Sequence, residues 1–285
     1  MSAMAAAPTS VAQALHAARA QGLDRVDAHL LLGHALGRSR SWLIAHDDAL
    51  VDAAQATAFA QACGQRLTGV PVAYLLGERE FHGLRLRVTT DVLVPRPDTE
   101  TLVDWALALL APTAVGLAPR VLDLGTGSGA IALAVAHRCP AAQVVATDLS
   151  AAALAVAQAN AGRLGLALRF CQGSWWRALP EGEPAFDLVL SNPPYIAEGD
   201  PHLVNLQHEP RLALTPGGDG LDAYRQIVPE AMHHLRPGGW LLLEHGHDQS
   251  QAVAALLHAA GLRAVQSRAD LAGWARCTGA QRPAA

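Results

Sequence analysis

At 285 residues, 51% of them apolar, the chain is long enough to bury a core in one large and one small domain. Its net charge of -4 counts against non-specific nucleic-acid binding, which rests on basic surface, although a local basic patch is compatible with it. Lysine is absent from the whole sequence, so the phosphate grip of a P-loop and any lysine Schiff base are both excluded.

Cys63, Cys139, Cys171 and Cys277 stand far apart and form no CxxC pair. Neither a zinc site nor a disulfide framework follows, and a reducing compartment is the expectation. The start, MSAMAAAPTSVAQ, lacks a basic segment followed by an apolar run, so a secretory signal is not expected. The apolar stretch from Trp105 to Ala118 is short and contains Pro112, too little to span a bilayer. These features predict a soluble, cytoplasmic protein with no membrane partner.

Residues 1–69 read as a small helical domain. Asp24 caps a helix whose apolar face includes Val26, Leu30, Leu31 and Leu32 and which ends near Gly37. An alanine-rich helix follows from about Val51 to Gly69. Residues 70–100 change character: apolar and polar residues alternate, notably at Leu84, Leu86 and Val88, with turn signals at Gly83 and at Thr89–Thr90–Asp91. This segment predicts a β-hairpin joining two domains. Pro95 and Pro97 bracket Arg96 in an extended turn, and Asp98 caps the next helix with Glu100 in its first turn.

Over residues 101–285 strand and helix patterns alternate. Strands are expected at 120–124, 143–147, 168–171, 186–191 and 239–244, and helices at 130–138, 151–163, 223–234 and 249–260. The alternation predicts an α/β fold, a doubly wound and mostly parallel Rossmann-like sheet, whose ligands bind beyond the carboxyl ends of the strands. Gly125, Asp148 and Asn192 each follow a strand end and therefore share one rim.

The run Asp123-Leu124-Gly125-Thr126-Gly127-Ser128-Gly129-Ala130 puts glycines in a turn before a helix N-terminus, where the backbone can approach a ligand closely. Alone it also satisfies a loose dinucleotide pattern, or a tight turn with no ligand. Asp148 can accept hydrogen bonds from both ribose hydroxyls of a nucleoside; as a helix cap it is dispensable, because Ser150 can fill that place. Neither feature separates a nicotinamide nucleoside from a methionine nucleoside. Ser191-Asn192-Pro193-Pro194-Tyr195 does. A carboxamide or adenine amino nitrogen is a poor nucleophile, since its lone pair is delocalised with a rotation barrier of ~18–20 kcal/mol in the peptide case. The Asn192 side-chain oxygen and the Pro193 carbonyl can accept its two N–H bonds and turn the lone pair toward a sulfonium methyl. Successive prolines stiffen the segment, and Tyr195 can pack on the planar group. Asn192, Pro193 and Tyr195 are thus the candidate catalytic set.

Other clusters are less informative. Glu244, His245, His247 and Asp248 have metal-ligand chemistry, but further ligands would have to come from elsewhere, and no metal is expected. Histidines 233 and 234 sit late in a predicted helix, where protonated imidazoles suit the dipole. Glu209 and Arg211 either line a substrate channel or pair with each other. Trp240 and Trp274 read as core or interface aromatics.

The glycine loop, acidic strand end and Asn-Pro-Pro-Tyr together resemble S-adenosylmethionine-dependent methyltransferases acting on planar amino groups. Residues 71–100, with PRPDTE as the most specific piece, are similar to the peptide chain release factor glutamine methyltransferases. So are HEPRLAL at 208–214, GGDGLDAY at 217–224, LLLEHG at 241–246 and the helical segment 27–43. The resemblance implies S-adenosylmethionine as cofactor, contacted by Gly125, Thr126, Gly127, Ser128, Gly129, Asp148, Trp175 and Asn192. It implies that Asn192, Pro193, Pro194 and Tyr195 hold the glutamine of a release factor's Gly-Gly-Gln tip, that the helical domain helps to grip that partner, and that nucleic acid is not bound directly. One departure concerns Gln172-Gly173-Ser174-Trp175-Trp176, which lacks the acidic residue usual before the tryptophan. Trp175 aligns with the adenine-stacking aromatic, and Trp176 is the other candidate.

Three other functions share parts of this pattern. An adenine methyltransferase of DNA or RNA uses the same tetrapeptide but normally carries a basic target-recognition segment. A glutamine methyltransferase of a ribosomal protein differs at the position of PRPDTE. A nicotinamide dehydrogenase or nucleotide-binding regulatory module leaves the tetrapeptide idle.

Overall fold

The computed structural model describes residues 9–111 and 118–284. Pro112, Val115 and the first eight residues, on which parts of the sequence reading fall, lie outside the described residues. The chain divides into two units, Met1–Gly77 and Glu78–Ala285.

Capped, alanine-rich helices build the first unit. After β1 (Thr9–Ser10), α1 (Val11–Ala20) opens on a reciprocal capping box between Ser10 and Gln13. In α2 (Arg25–Leu36) the Asp24 carboxylate accepts from the Val26 N–H at 2.7 Å, and Gly37 closes the helix, as expected. The buried face differs from the expectation. Ala28, Leu31 and Leu32 are buried, whereas Val26 and Leu30 remain 48% and 42% exposed. At about 100° per residue, Val26 and Leu30 fall on the side of the helix opposite Ala28, so one stripe cannot hold all of them. α3 (Arg40–Ala45), β2 (Leu50–Val51, paired with β1), α4 (Ala53–Leu67) and α5 (Val72–Leu76) complete the unit. Val11, Leu31, Leu32, Leu43, Phe59 and Cys63 pack in its core.

The second unit opens with the hairpin β3 (Glu78–Phe81) and β4 (Leu84–Arg87), in which Leu84 and Leu86 are buried. Residues 72–76, within the segment read as hairpin, are helical instead. Asp98 does not cap the following helix. Pro97–Thr99 form a 3-10 turn running straight into α6 (Glu100–Leu110), so the backbone is already wound at Asp98, and its carboxylate turns to Arg276 at 3.4 Å.

Next come β5 (Arg120–Leu124), α7 (Ala130–Arg138), β6 (Gln143–Asp148), α8 (Ala151–Leu164), β7 (Arg169–Gln172) and β8 (Phe186–Ser191), each within a residue of its predicted range. The helix expected over 223–234 is instead two, α9 (Asp222–Ile227) and α10 (Ala231–His234). Pro229 separates them, because a proline ring removes an N–H and clashes with the preceding turn. β9 (Leu235–Glu244) starts four residues earlier than expected, and α11 (Ser250–Ala259) follows. A last pair, β10 (Arg263–Ala269) and β11 (Ala275–Gln281), has no counterpart in the sequence reading.

These strands form one seven-stranded sheet in the order β10-β11-β9-β8-β5-β6-β7. Every pairing from β9 to β7 is parallel, and β11 is antiparallel to both of its neighbours. Alternate residues supply two cores. Val121, Leu188, Leu190 and Leu242 pack under α6 and α7, while Leu122, Leu124, Val189 and Leu243 pack under α9 and α11. Helices on both faces are what a parallel sheet requires. The strand order reverses between β5 and β8, and there the carboxyl ends open a crevice. Among the described residues no helix is long and apolar enough to cross a membrane.

Candidate functional site

Register brings the motifs together. Leu124 of β5 pairs with Ser191 of β8 on one side and with Thr147 of β6 on the other. Gly125, Asp148 and Asn192 therefore leave the sheet side by side at the switch point. The Ser191 hydroxyl ties the ends of β8 and β5 together by donating to the Leu124 carbonyl at 2.7 Å.

The glycine loop is held from below and from both sides. The Gly125 and Thr126 N–H groups donate to the Thr147 carbonyl at 2.9 and 2.8 Å. The Thr126 hydroxyl donates to Asp123 at 2.6 Å, and Asn160 of α8 donates to the Ser128 carbonyl at 2.9 Å. Asn160 also exchanges both hydrogen bonds with the Arg87 backbone, which fastens the hairpin to the loop. Burial pushes the Asp123 carboxyl up to about 7 in spite of the Thr126 and Ala132 donors, and its Oδ1 has no partner among the described residues. Asp148 accepts from the Gly127 N–H through one oxygen and from the Ser150 N–H through the other, each at 2.8 Å. Burial raises its carboxyl as well, ahead of the lowering by those donors. Ser150 takes the cap of α8, as expected.

One cavity of about 360 Å³ joins these parts. Gly125, Thr126, Gly127, Ser128 and Asp148 line it on one side, Trp175 covers it, and Asn192 and Pro194 close its far end. A Cβ at Gly125, whose φ is +74°, would lie 3.4 Å from the Trp175 ring, so the absent side chain keeps the space under that ring open. Trp175 itself has φ +48°, a left-handed conformation that a large residue adopts only under constraint. Trp176 points the other way: it is buried, donates to the Ile227 carbonyl at 2.9 Å and stacks on His234. Of the two tryptophans only Trp175 faces the cavity.

Three of the sequence-selected residues do not line it. Gly129 caps α7, and its Cα faces Leu133 and Ala157. Pro193 is buried. Tyr195 packs against the core cluster that holds Tyr224, beside Glu244 and Arg276, and burial raises its phenol further above the ordinary value.

The Asn-Pro-Pro-Tyr segment is clamped by the two motifs that follow it. Gln249 donates to the Tyr195 carbonyl at 3.0 Å, and the Ile196 and Glu198 N–H groups donate to Leu214 and Gly218, also at 3.0 Å. Gly220, φ +82°, passes directly over the Tyr195 carbonyl, where a Cβ would collide with it. Glu209 and Arg211 do not pair with each other. Arg211 reaches Glu198, while the buried Glu209 carboxylate takes the Arg96 guanidinium and the Val94 N–H, tying the PRP turn to this loop.

Sequence reasoning missed the floor of the far end. Asn192 donates through Nδ2 to the Thr99 hydroxyl at 3.2 Å, and the Thr99 and Asn192 side chains are the neighbours that stabilise the charged form of the buried Glu244 carboxylate. In the sequence Glu244 stands out only with its neighbours, as metal-ligand chemistry. Those neighbours diverge: His245 is buried against Thr278 at 2.7 Å, and His247 is exposed beside Trp274. Among the described residues no three His, Cys, Asp or Glu side chains converge on a point.

Comparison with known proteins agrees with this layout. Residues 9–77 match the PrmC N-terminal domain, and residues 99–220 match the methyltransferase small domain. The release factor glutamine methyltransferase of Bordetella pertussis is 55% identical over 260 residues, covering 90% of this chain and 95% of that one. The protein of the same description from Xylella fastidiosa (strain Temecula1) is 52% identical over 268 residues, covering 93% and 96%. Among solved structures, a methyltransferase from Pyrococcus furiosus superposes with a TM-score of 0.51 at 19% identity over 70% of this chain and 90% of that one, a likeness of fold alone. On this identity and coverage the chain belongs to the release factor glutamine methyltransferase family of S-adenosylmethionine-dependent enzymes.

Proposed function

We propose that this protein methylates the side-chain amide nitrogen of the glutamine in the Gly-Gly-Gln motif of peptide chain release factors, in the cytoplasm. The observation that carries this reading is a single cavity with a nucleoside-type wall at one end and Asn192 and Pro194 at the other. S-adenosylmethionine supplies a methyl group on a sulfonium, ready for displacement.

The chain's residues divide the remaining work. Asp148 presents carboxylate lone pairs to ribose hydroxyls, and Trp175 offers a flat face to adenine. The glycine loop leaves room for the nucleoside against its backbone. At the other end the Asn192 oxygen and the Pro193 carbonyl accept the two N–H bonds of the glutamine carboxamide. Held this way, the nitrogen would aim its lone pair down the cavity toward the methyl donor, the alignment that productive transfer at ~3–3.5 Å requires. Once methylated, the nitrogen would shed its extra proton to water, the sulfonium's electron pair having left with the demethylated donor. No base is needed before transfer. The α-helical unit, Met1–Gly77, serves to dock the release factor, in keeping with what the related proteins are named for.

Incubation with methyl-labelled S-adenosylmethionine and a purified release factor, followed by mass spectrometry, tests the proposal. A single methyl on the motif glutamine is the expected result. Label entering only DNA or RNA offered in parallel would overturn it.

A further inference from the structure

The functional reading requires the Asn192 carboxamide to show its oxygen, not its NH2, to the substrate. An asparagine can sit either way round with almost the same shape, so something must choose. Asn192 lies beside Glu244 because Ser191 and Leu243, the preceding residues, are register partners. The Glu244 side chain is buried, at 1% exposure, and the polar side chains that favour its charged form are Thr99 and Asn192.

Donor and acceptor directions then follow one from the next. An ionised carboxylate can only accept, so the Thr99 hydroxyl spends its one hydrogen on Glu244. The Thr99 oxygen is left as an acceptor, and it is met by Asn192 Nδ2 at 3.2 Å. The Asn192 NH2 is thereby held on the Thr99 and Glu244 side, which leaves Oδ1 as the end available to the cavity that Asn192 lines. We infer that Glu244 is a positioning residue for methyl transfer, acting directly and through Thr99 to fix which end of the Asn192 carboxamide meets the substrate. The inference rests on the functional reading above for its consequence, but not for the hydrogen-bond chain.

Protonation reverses the logic. A neutral Glu244 can donate to Thr99, whose hydrogen is then free to turn to Asn192. The amide can rotate, and its NH2 would confront the substrate NH2, donor against donor. Burial pushes the Glu244 carboxyl up to about 7, so this switch falls in the working range. Its charged and titratable surroundings are Arg276, which lowers it, and Asp98, which raises it, together with Tyr195, Tyr224 and Cys277. The ionised form is the ordering form, so turnover rises as pH climbs through that value.

The test compares wild type with Glu244→Gln, Thr99→Val and Thr99→Ser in the full chain. At saturating S-adenosylmethionine and release factor, the Gln and Val variants should each lose roughly 10- to 100-fold in kcat, with KM and cofactor Kd within about threefold. Thr99→Ser, which keeps the hydroxyl, should recover kcat relative to Thr99→Val. The acid limb of the kcat–pH profile should vanish in Glu244→Gln. Independently of activity, the Asn192 side-chain NH2 resonances in ¹⁵N spectra should titrate with a midpoint of about 7 in wild type and stay flat in Glu244→Gln. Unchanged kcat in both the Gln and Val variants, or resonances indifferent to Glu244→Gln, would overturn the inference. Should Glu244→Gln not fold, the Val and Ser pair decides it. A wild-type protein inert toward release factor would instead defeat the functional reading, and the Asn192 resonances would then judge the hydrogen-bond chain alone.

Discussion

Replacing Asp148 with asparagine separates the cofactor half of the site from everything else. The aspartate accepts the Gly127 and Ser150 N–H groups on opposite oxygens, each at 2.8 Å. Asparagine offers one oxygen and one NH2, so one of those two donors must face another donor, and the negative charge proposed to face the ribose is lost. A hydrogen bond to a charged group contributes about 1.5–3 kcal/mol, which converts to a roughly 10- to 150-fold rise in Kd. Stability of the cofactor-free protein should change much less. The lost backbone hydrogen bond is offset by removal of a partly buried charge whose burial already raises its pKa. Titration calorimetry with S-adenosylmethionine gives the affinity, and thermal melts with and without cofactor give the stability. A Kd that stays within about threefold of wild type, in a protein with an ordinary melting temperature, would refute the ribose assignment and the reasoning behind it.

Asn192→Ala should reduce transfer to release factor by about a thousandfold or more while cofactor Kd stays within a few-fold; loss of cofactor affinity would show the residue misassigned. Asp123→Asn should be stabilising relative to wild type by an amount that depends on pH. Its folded carboxyl titrates at about 7, far above the unfolded value of 3.8, so wild type loses stability as pH rises across that window. The loss approaches ~1.4 kcal/mol per pH unit and levels off above the folded value, so urea denaturation should show a variant advantage growing from pH 4 to 7. A pH-independent difference would contradict this. Removing residues 1–77 should impair methylation of intact release factor more than that of a short Gly-Gly-Gln peptide, as measured by kcat/KM on each. Equal losses would make this unit structural only.

What the sequence disclosed was local. The strands around β5, β6 and β8 announce themselves by apolar runs, and the glycine loop and Asn-Pro-Pro-Tyr by residues whose backbone demands are unusual. Gly125, Asp148 and Asn192 were therefore legible, and register delivers them to one cavity, whereas Trp175, which lines it too, is implied only by the family resemblance. What stayed hidden was long-range. Thr99 meets Asn192 across 93 residues, and Val94 meets Glu209 across 115, with nothing in either stretch to name its partner. β10 escaped notice because most of its residues are exposed and show no alternation. The break in the helix after Ile227 is signalled by Pro229, which the single helix expected over 223–234 passes over. The face of α2 was misjudged because leucines and valine surround the helix, so composition cannot say which side meets the core.

Position also explains a feature that stability alone would disfavour. Two carboxyls, Asp123 and Glu244, are buried under the rim, each leaving one oxygen without a partner among the described residues. Burying charge so incompletely is costly, and a well-packed apolar residue would serve the core better. Both are on strands that flank the cavity: β5 and β9 stand on either side of β8, whose end leads into Asn192. Asp123 grips Thr126 in the glycine loop, and Glu244 grips Thr99 and Asn192 at the opposite end. On the proposed function each buried carboxyl orders one half of the reaction, the first the nucleoside wall and the second the acceptor end. Their substitutions should consequently divide along the same line, Asp123→Asn in cofactor affinity and Glu244→Gln in turnover. Coincident effects on one parameter would mean that the two ends of the cavity are not separately built.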